Sequence, residues 1–235
     1  MKIRRTGVAF GITALISMGM SNESLKAEES RLESITLGAG CFWCTEAVMQ
    51  RVEGVKGAVS GYMGGHVKNP TYRQVVTGET GHAEVAKITF DPNVTSLEEL
   101  LDIFWLMHDP TTLNRQGADV GTQYRSAIYY NNDNHKDKIL SSKEAYQNEL
   151  NKNKLGVIET EIKKIETYYY AEDYHQQYLA IEGSRQYCSA SPTKVKLGSF
   201  NGSNYKLPKE IWDNFNWDVE KCVLRSNNKP IEINN

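Results

Sequence analysis

The run Gly38-Ala39-Gly40-Cys41-Phe42-Trp43-Cys44 constrains this chain more than any other stretch. Before it, Ser34 to Leu37 has the pattern of a short strand; after it, Ala47, Val48 and Val52 recur at helical spacing within Cys41 to Val52. Two glycines between a strand and a helix allow a tight turn and place Cys41 at a helix N-terminus. A thiol there faces unsatisfied backbone N–H groups and the positive end of the helix dipole, which favour thiolate. Cys41 and Cys44 also form a C-x-x-C pair at a strand-to-helix junction, a setting suited to dithiol chemistry. Buried core thiols are the bland alternative from spacing alone. A structural zinc site is disfavoured, because Cys188 and Cys222 stand alone and His66 and His82 lack metal-ligand spacing to each other.

Four cysteines in 235 residues are too few for a disulfide scaffold, so each is read from its setting. Twenty-seven basic against 29 acidic residues, a net charge of -2, give nucleic acid or an anionic membrane no electrostatic invitation. Lys2, Arg4 and Arg5 precede an almost uncharged run to Met20, the layout of a secretory signal peptide over residues 1–22. The expected compartment is therefore periplasmic or extracellular, with the cytoplasm or an organelle as the alternative. The run is too short and glycine-broken for a membrane span, and no stable span is expected in the mature protein. A polar linker follows at 23–31, the working domain is expected at 32–195, and 196–235 reads as an extension whose Trp212, Phe215 and Trp217 could pack on the body. Cys222 receives no role, and a monomer is expected because no coiled-coil repeat or long apolar stripe is visible.

Between these ends, Lys56 to Ser60 reads as a strand, Tyr72 to Thr77 as a short helix and Ala83 to Phe90 as an alternating strand. Leu97 to His108 has an amphipathic helical stripe, Asp109 to Gly121 is a loop, and Gln123 to Tyr130 is a strand. Lys136 to Lys154 predicts an exposed helix, Val157 to Ile165 a strand and Glu172 to Ile181 a helix. Strands and helices alternate without a regular parallel-sheet rhythm, which suggests an α+β sandwich. On the Ala83 to Phe90 strand, Glu84 shares a face with Ala86, Ile88 and Phe90. A carboxyl buried there without a cationic partner keeps its proton at neutral pH and can act as an acid.

Several further pieces, in order, carry a family resemblance: Gly40-Cys41-Phe42-Trp43, Gly61-Tyr62 with Gly64-Gly65, Asn69-Pro70-Thr71-Tyr72-Arg73, Gly81-His82-Ala83-Glu84-Val85, His108-Asp109-Pro110, Gly121-Thr122-Gln123-Tyr124-Arg125-Ser126 and Tyr174-His175-Gln176-Gln177-Tyr178-Leu179. Through them the chain resembles the peptide methionine sulfoxide reductases of the A type, specific for the S epimer at sulfur. The resemblance implies a two-layer α/β sandwich with a ferredoxin-like core and a mixed sheet. It implies Cys41 as nucleophile, Glu84 as general acid, and Tyr72 and Tyr124 as hydroxyls on the sulfoxide oxygen. Phe42 and Trp43 would receive the sulfoxide methyl group, and Asp119 would be an additional substrate-site carboxylate. Cys41 would leave the first step as a sulfenic acid, resolved by Cys188 with Cys44 as the alternative, and the disulfide would be reopened by thioredoxin or a similar dithiol, with no organic cofactor. Here Ser189-Ala190-Ser191-Pro192 stands where relatives commonly carry glycines after the recycling cysteine. A thioredoxin-like disulfide reductase built on Cys41 and Cys44, or a non-catalytic module binding oxidised proteins, would leave Glu84, Tyr72 and Tyr124 without roles.

Overall fold

The computed structural model describes residues 32–181, 183–185 and 187–197. The expected leader and linker, and the extension from residue 198 on with Trp212, Phe215, Trp217 and Cys222, lie outside the described residues.

The elements run β1 (Glu33–Ala39), α1 (Phe42–Met49), β2 (Val55–Met63), the single turn α2 (Tyr72–Val75), β3 (Ala83–Phe90), α3 (Leu97–Met107), the two-residue strands β4 (Arg115–Gln116) and β5 (Asp119–Val120), β6 (Ser126–Tyr130), α4 (Asp133–Lys152), β7 (Glu161–Lys164) and β8 (Tyr169–Tyr170). Among the described residues, six strands form one sheet in the order β7-β6-β1-β3-β2-β8, with only β6 and β7 parallel neighbours. Because β3 is antiparallel to both β1 and β2, those two strands run the same way and are joined through α1. In the same manner β3 and β6 flank β1 and are joined across α3. Two interlocked βαβ units of this kind are a ferredoxin-like core with a mixed sheet.

Alternation along β3 decides what sits where. Ala86, Ile88 and Phe90 face the main core with α1, α3 and α4, whereas Ala83 and Val85 pack with Met63, Ala127 and Tyr129 under Ile165 and Tyr168. Glu84, being even-numbered, is carried onto the main core side as its alternation requires. Helix α3 starts at a reciprocal cap in which Ser96 Oγ accepts the Glu99 N–H and the Glu99 carboxylate accepts the Ser96 N–H. Its Trp105 stacks on Tyr146 of α4 with ring centroids 5.7 Å apart and donates its indole N–H to Ser142 Oγ at 2.7 Å. Among the described residues, no helix is long and apolar enough to cross a membrane.

Two expected elements are broken, each by polar side chains that periodicity does not register. The strand expected over Gln123 to Tyr130 begins only at Ser126; Thr122–Tyr124 forms a 3-10 turn instead. Arg125 closes that turn, donating to Thr122 O at 2.9 Å and to Gly81 O at 3.1 Å. The helix expected over Glu172 to Ile181 is two 3-10 turns, Asp173–His175 and Tyr178–Ala180, separated by Gln177 at φ 53. The Gln176 amide is spent on Ser60, accepting its N–H and donating to its carbonyl, and on Ala171 O, which pins the chain to the sheet edge where a helix would turn away.

Candidate active site

The site forms where β1 ends and α1 begins. Gly40 turns the chain at φ 93, and a Cβ there would meet the Gln116 side chain at 2.6 Å, so only glycine lets the hairpin of β4 and β5 close over the junction. Cys41 is the N-cap residue, 6% exposed, with its carbonyl accepting the Cys44 and Thr45 N–H groups. The helix-start position read from the sequence holds, but its pull toward thiolate is opposed by the surroundings. Burial first, and then the Glu84 carboxylate, push the thiol well above its ordinary value, against the weaker pull of the Trp43 and Cys44 backbone N–H groups. The thiol of the resting site carries its proton.

Glu84 is 2% exposed and takes the helix-start donor for itself: Phe42 N–H donates to its Oε2 at 3.1 Å. Burial raises its carboxyl to about 8, the Phe42 N–H pulls the other way, and Asp119 adds a smaller upward push. Among the described residues, no basic side chain forms an ion pair with it. This is the buried, cation-free carboxyl that the apolar face of its strand predicts, and at neutral pH it holds a proton.

Tyr72 opens α2, whose cap Thr71 exchanges hydrogen bonds with Gln74. Its backbone N–H donates to Glu172 Oε1 at 2.8 Å while Tyr62 Oη donates to Oε2 of the same carboxylate at 2.8 Å. The Tyr72 hydroxyl is pushed up to about 12 by burial, then by Glu84 and Cys41. The Tyr124 hydroxyl is raised by burial, then by Glu84, Tyr72, Asp119 and Cys41. Both remain hydrogen-bond donors at physiological pH. Cys41, Tyr72 and Tyr124 each feel the charges of Glu84 and Asp119, and Glu84 feels that of Asp119, so the five side chains converge on one site, drawn from α1, β3, α2, the Thr122–Tyr124 turn and β5.

An aromatic wall closes the same site. Phe42 is buried beneath His175, with ring centroids 5.1 Å apart, and Trp43 stacks on Tyr178 at 3.9 Å. Trp43 Nε1–H donates to His175 Nδ1 at 3.2 Å, which leaves the neutral ring's proton on Nε2. Burial lowers the His175 ring below its ordinary value, so it stays neutral. Its ring also lies 4.4 Å from that of Tyr72. Tyr187 Oη donates to Asp119 Oδ1, tying that carboxylate to the segment that carries Cys188. Sequence pattern alone gives His175, Tyr178 and Tyr187 no role at this site. The first two stand in a quoted motif, but a helix reading of that motif hides their convergence on Trp43.

The second and third cysteines of the chain meet each other. Cys44, one turn into α1 and buried, is bonded to Cys188 with a Cα separation of 5.8 Å, and Cys41 is free. Gln116 Oε1 accepts the Ser191 N–H at 3.1 Å and Tyr146 Oη shares a hydrogen bond with Thr193, which lays the residues after Cys188 along the hairpin and α4. Among the described residues, no group of three or more His, Cys, Asp or Glu side chains could hold a metal ion.

Residues 33–206 match the family model described as peptide methionine sulfoxide reductase. The chain is 46% identical over 179 residues to peptide methionine sulfoxide reductase MsrA of Leptospira borgpetersenii, covering 76% of this chain and 99% of that one. It is 51% identical over 173 residues to the protein of the same name from Pasteurella multocida, covering 74% and 94%. Among solved structures it is similar to methionine sulfoxide reductase A of Corynebacterium diphtheriae, with a TM-score of 0.64, 39% identity and coverage of 67% of this chain and 78% of that one. Reduced Mxr1 from Saccharomyces cerevisiae gives a TM-score of 0.63 and 34% identity, covering 68% and 90%.

Proposed function

The chain belongs to the peptide methionine sulfoxide reductase family, and from that premise we propose how its own residues perform the reaction. The enzyme is a peptide-methionine (S)-S-oxide reductase, which reduces methionine sulfoxide in proteins and peptides to methionine at the expense of thiols. The observation that carries the residue roles is the pairing of a buried, protonated carboxyl with a buried thiol at a helix start, with two tyrosine hydroxyls coupled to both.

The sulfoxide methyl group rests against Phe42 and Trp43, and its oxygen accepts hydrogen bonds from Tyr72 and Tyr124. Attack of the Cys41 sulfur on the sulfoxide sulfur builds negative charge on that oxygen. Glu84 gives it a proton, and the proton leaving the Cys41 thiol refills the carboxyl. The methionine sulfur keeps the electron pair and departs reduced; the oxygen stays as a Cys41 sulfenic acid. No net charge is created in the buried site, which suits a place where burial penalises every ionised form.

Cys188 then attacks the Cys41 sulfur, releasing water and forming a Cys41 to Cys188 disulfide. Cys44 attacks the Cys188 sulfur, frees Cys41 and leaves the Cys44 to Cys188 link. The presence of that link beside a free Cys41 supports this order over a terminal Cys41 to Cys44 bond. A thioredoxin-type dithiol is the reductant we assign, entering at Cys188, the partly exposed residue of the pair, while Cys44 is buried. The basic and apolar start of the chain further supports export, and the working form is read as a monomer; fractionation and N-terminal sequencing test the first, and sedimentation the second.

Turnover of the two sulfur epimers of a peptide methionine sulfoxide with dithiothreitol tests the assignment. The S epimer is reduced by the intact enzyme, not by Cys41→Ser, and much more slowly by Glu84→Gln. Equal turnover of the two epimers, or full activity in either variant, overturns it.

A further inference from the structure

Helix α1 buries a second carboxylate that the reaction does not use. Glu46 is 1% exposed, makes no ion pair among the described residues, and stands one turn beyond Trp43 on the same ridge of the helix. Its Oε2 accepts the backbone N–H of Gln177, 131 positions away, at 2.9 Å. Gln177 is the residue held at φ 53, a left-handed conformation that is uncommon and costly for a residue with a side chain. The two residues flanking the Gln176–Gln177 pair are His175, which accepts the Trp43 indole N–H, and Tyr178, whose ring stacks on Trp43. One short segment therefore meets one helix ridge at three points. Two of them set the orientation of Trp43, and the third is Glu46.

Resting on the reading of Trp43 as a wall of the substrate pocket, we propose that Glu46 is a positioning residue: its carboxylate latches the left-handed turn at Gln177 to α1 and so holds His175 and Tyr178 against Trp43. The other anchors of this segment bind it to β2 and α2 and not to α1 itself. Glu172 binds Tyr62 and Tyr72, and Gln176 binds Ser60 and Ala171. Without Glu46, the Gln177 N–H has no acceptor on α1, and the turn relaxes toward the ordinary region of backbone space. Trp43 then loses the stacking plane and the ring acceptor that fix it, while Cys41, Glu84 and the two tyrosines keep their own supports. Burial lifts the Glu46 carboxyl to about 7, the mark of a group retained in spite of desolvation.

The latch acts on substrate binding and not on the chemical groups, which separates it from a general structural role. In Glu46→Ala, KM for a peptide S-sulfoxide rises about tenfold or more while saturating kcat stays within about threefold. Iodoacetamide alkylation of reduced Cys41 keeps its rate. Glu46→Gln, which retains an oxygen acceptor, holds KM within about threefold of the wild type. In the wild-type protein the Gln177 amide exchanges with solvent at least about a hundredfold more slowly than in an unfolded chain. A folded Glu46→Ala with unchanged KM, a Glu46→Gln as impaired as the alanine variant, or exchange of the Gln177 amide at the unfolded rate overturns the latch. The amide measurement needs no variant and decides the matter if the alanine protein fails to fold. Trp43→Ala is the control for the underlying reading: if it leaves KM unchanged, Trp43 is not a pocket wall and that reading fails, whatever the latch does.

Discussion

Replacing Glu84 by glutamine separates what this carboxyl does for the reaction from what it costs the fold. Its proton is held by burial, which lifts the carboxyl from 4.5 to about 8. The folded state thus binds this proton more tightly than the unfolded chain does. Stability is full below the unfolded value near 4.5 and is lost as pH rises toward 8, a displacement worth about 5 kcal/mol at its limit. Glutamine cannot ionise, and its amide oxygen still accepts the Phe42 N–H, so the variant escapes the loss. Glu46 and the other titrating groups are common to both proteins and cancel in the difference. Cys41 does not cancel fully, since the Glu84 charge raises it, but that residue of coupling has the same sign. Urea unfolding of both proteins in one thiol state, from pH 5 to pH 9, should show Glu84→Gln gaining several kcal/mol on the wild type across the range, while its turnover stays greatly slowed throughout. A stability difference that stays flat to about 0.5 kcal/mol over that interval would falsify the claim that burial keeps Glu84 protonated.

Three other outcomes follow from the same contacts. After one equivalent of peptide sulfoxide and with no external thiol, Cys44→Ser should accumulate a Cys41 to Cys188 disulfide detectable by peptide mapping; accumulation of an unresolved sulfenic acid instead would give the first attack to Cys44. Gly64→Ala should destabilise by about 2 kcal/mol or more in urea unfolding, since φ 84 disfavours a side chain and the added Cβ would run into Tyr129 Oη and Arg125; an unchanged midpoint would contradict that packing. At pH 9, where Glu84 is ionised, reduced Glu84→Gln should be alkylated at Cys41 several-fold faster than the wild type, with the two rates converging near pH 6, and equal rates at pH 9 would deny the coupling between thiol and carboxyl.

Legibility in the sequence divides along a physical line. The helix start at Cys41, the apolar face that buries Glu84 and the stripes of α3 and α4 come from backbone and hydrophobic periodicity, which are local, and each stands where the pattern places it. The segments after Gln123 and after Glu172 depart from their local pattern for the opposite reason. Their conformation is dictated by Arg125 reaching Gly81 and by Gln176 reaching Ser60, contacts that span 44 and 116 positions and leave no local trace. The same limit hides the aromatic wall. Trp43 is visible at the helix start, but His175 and Tyr178 become its partners only once the chain is broken at Gln177. Cys44 and Cys188 were both named as resolving candidates, yet their bond to each other depends on how the last described segment lies along the hairpin.

The helix dipole explains why the thiol expectation needed correcting and what the fold does with that field instead. A helix start offers few free N–H groups, and here the first of them, from Phe42, is directed to Glu84. Cys41 is left with weaker backbone support, in a buried place, beside a second potential negative charge. Two adjacent groups that both resist ionisation make an idle nucleophile that keeps its proton. In the proposed reaction the arrival of a sulfoxide changes this balance, because its oxygen can take the Glu84 proton and the vacated carboxyl can then accept one from Cys41. Reactivity is thereby tied to a substrate whose oxygen becomes basic as attack proceeds. A thiolate held permanently by the dipole would have no such dependence, and it would be open to oxidation by the conditions that create methionine sulfoxide.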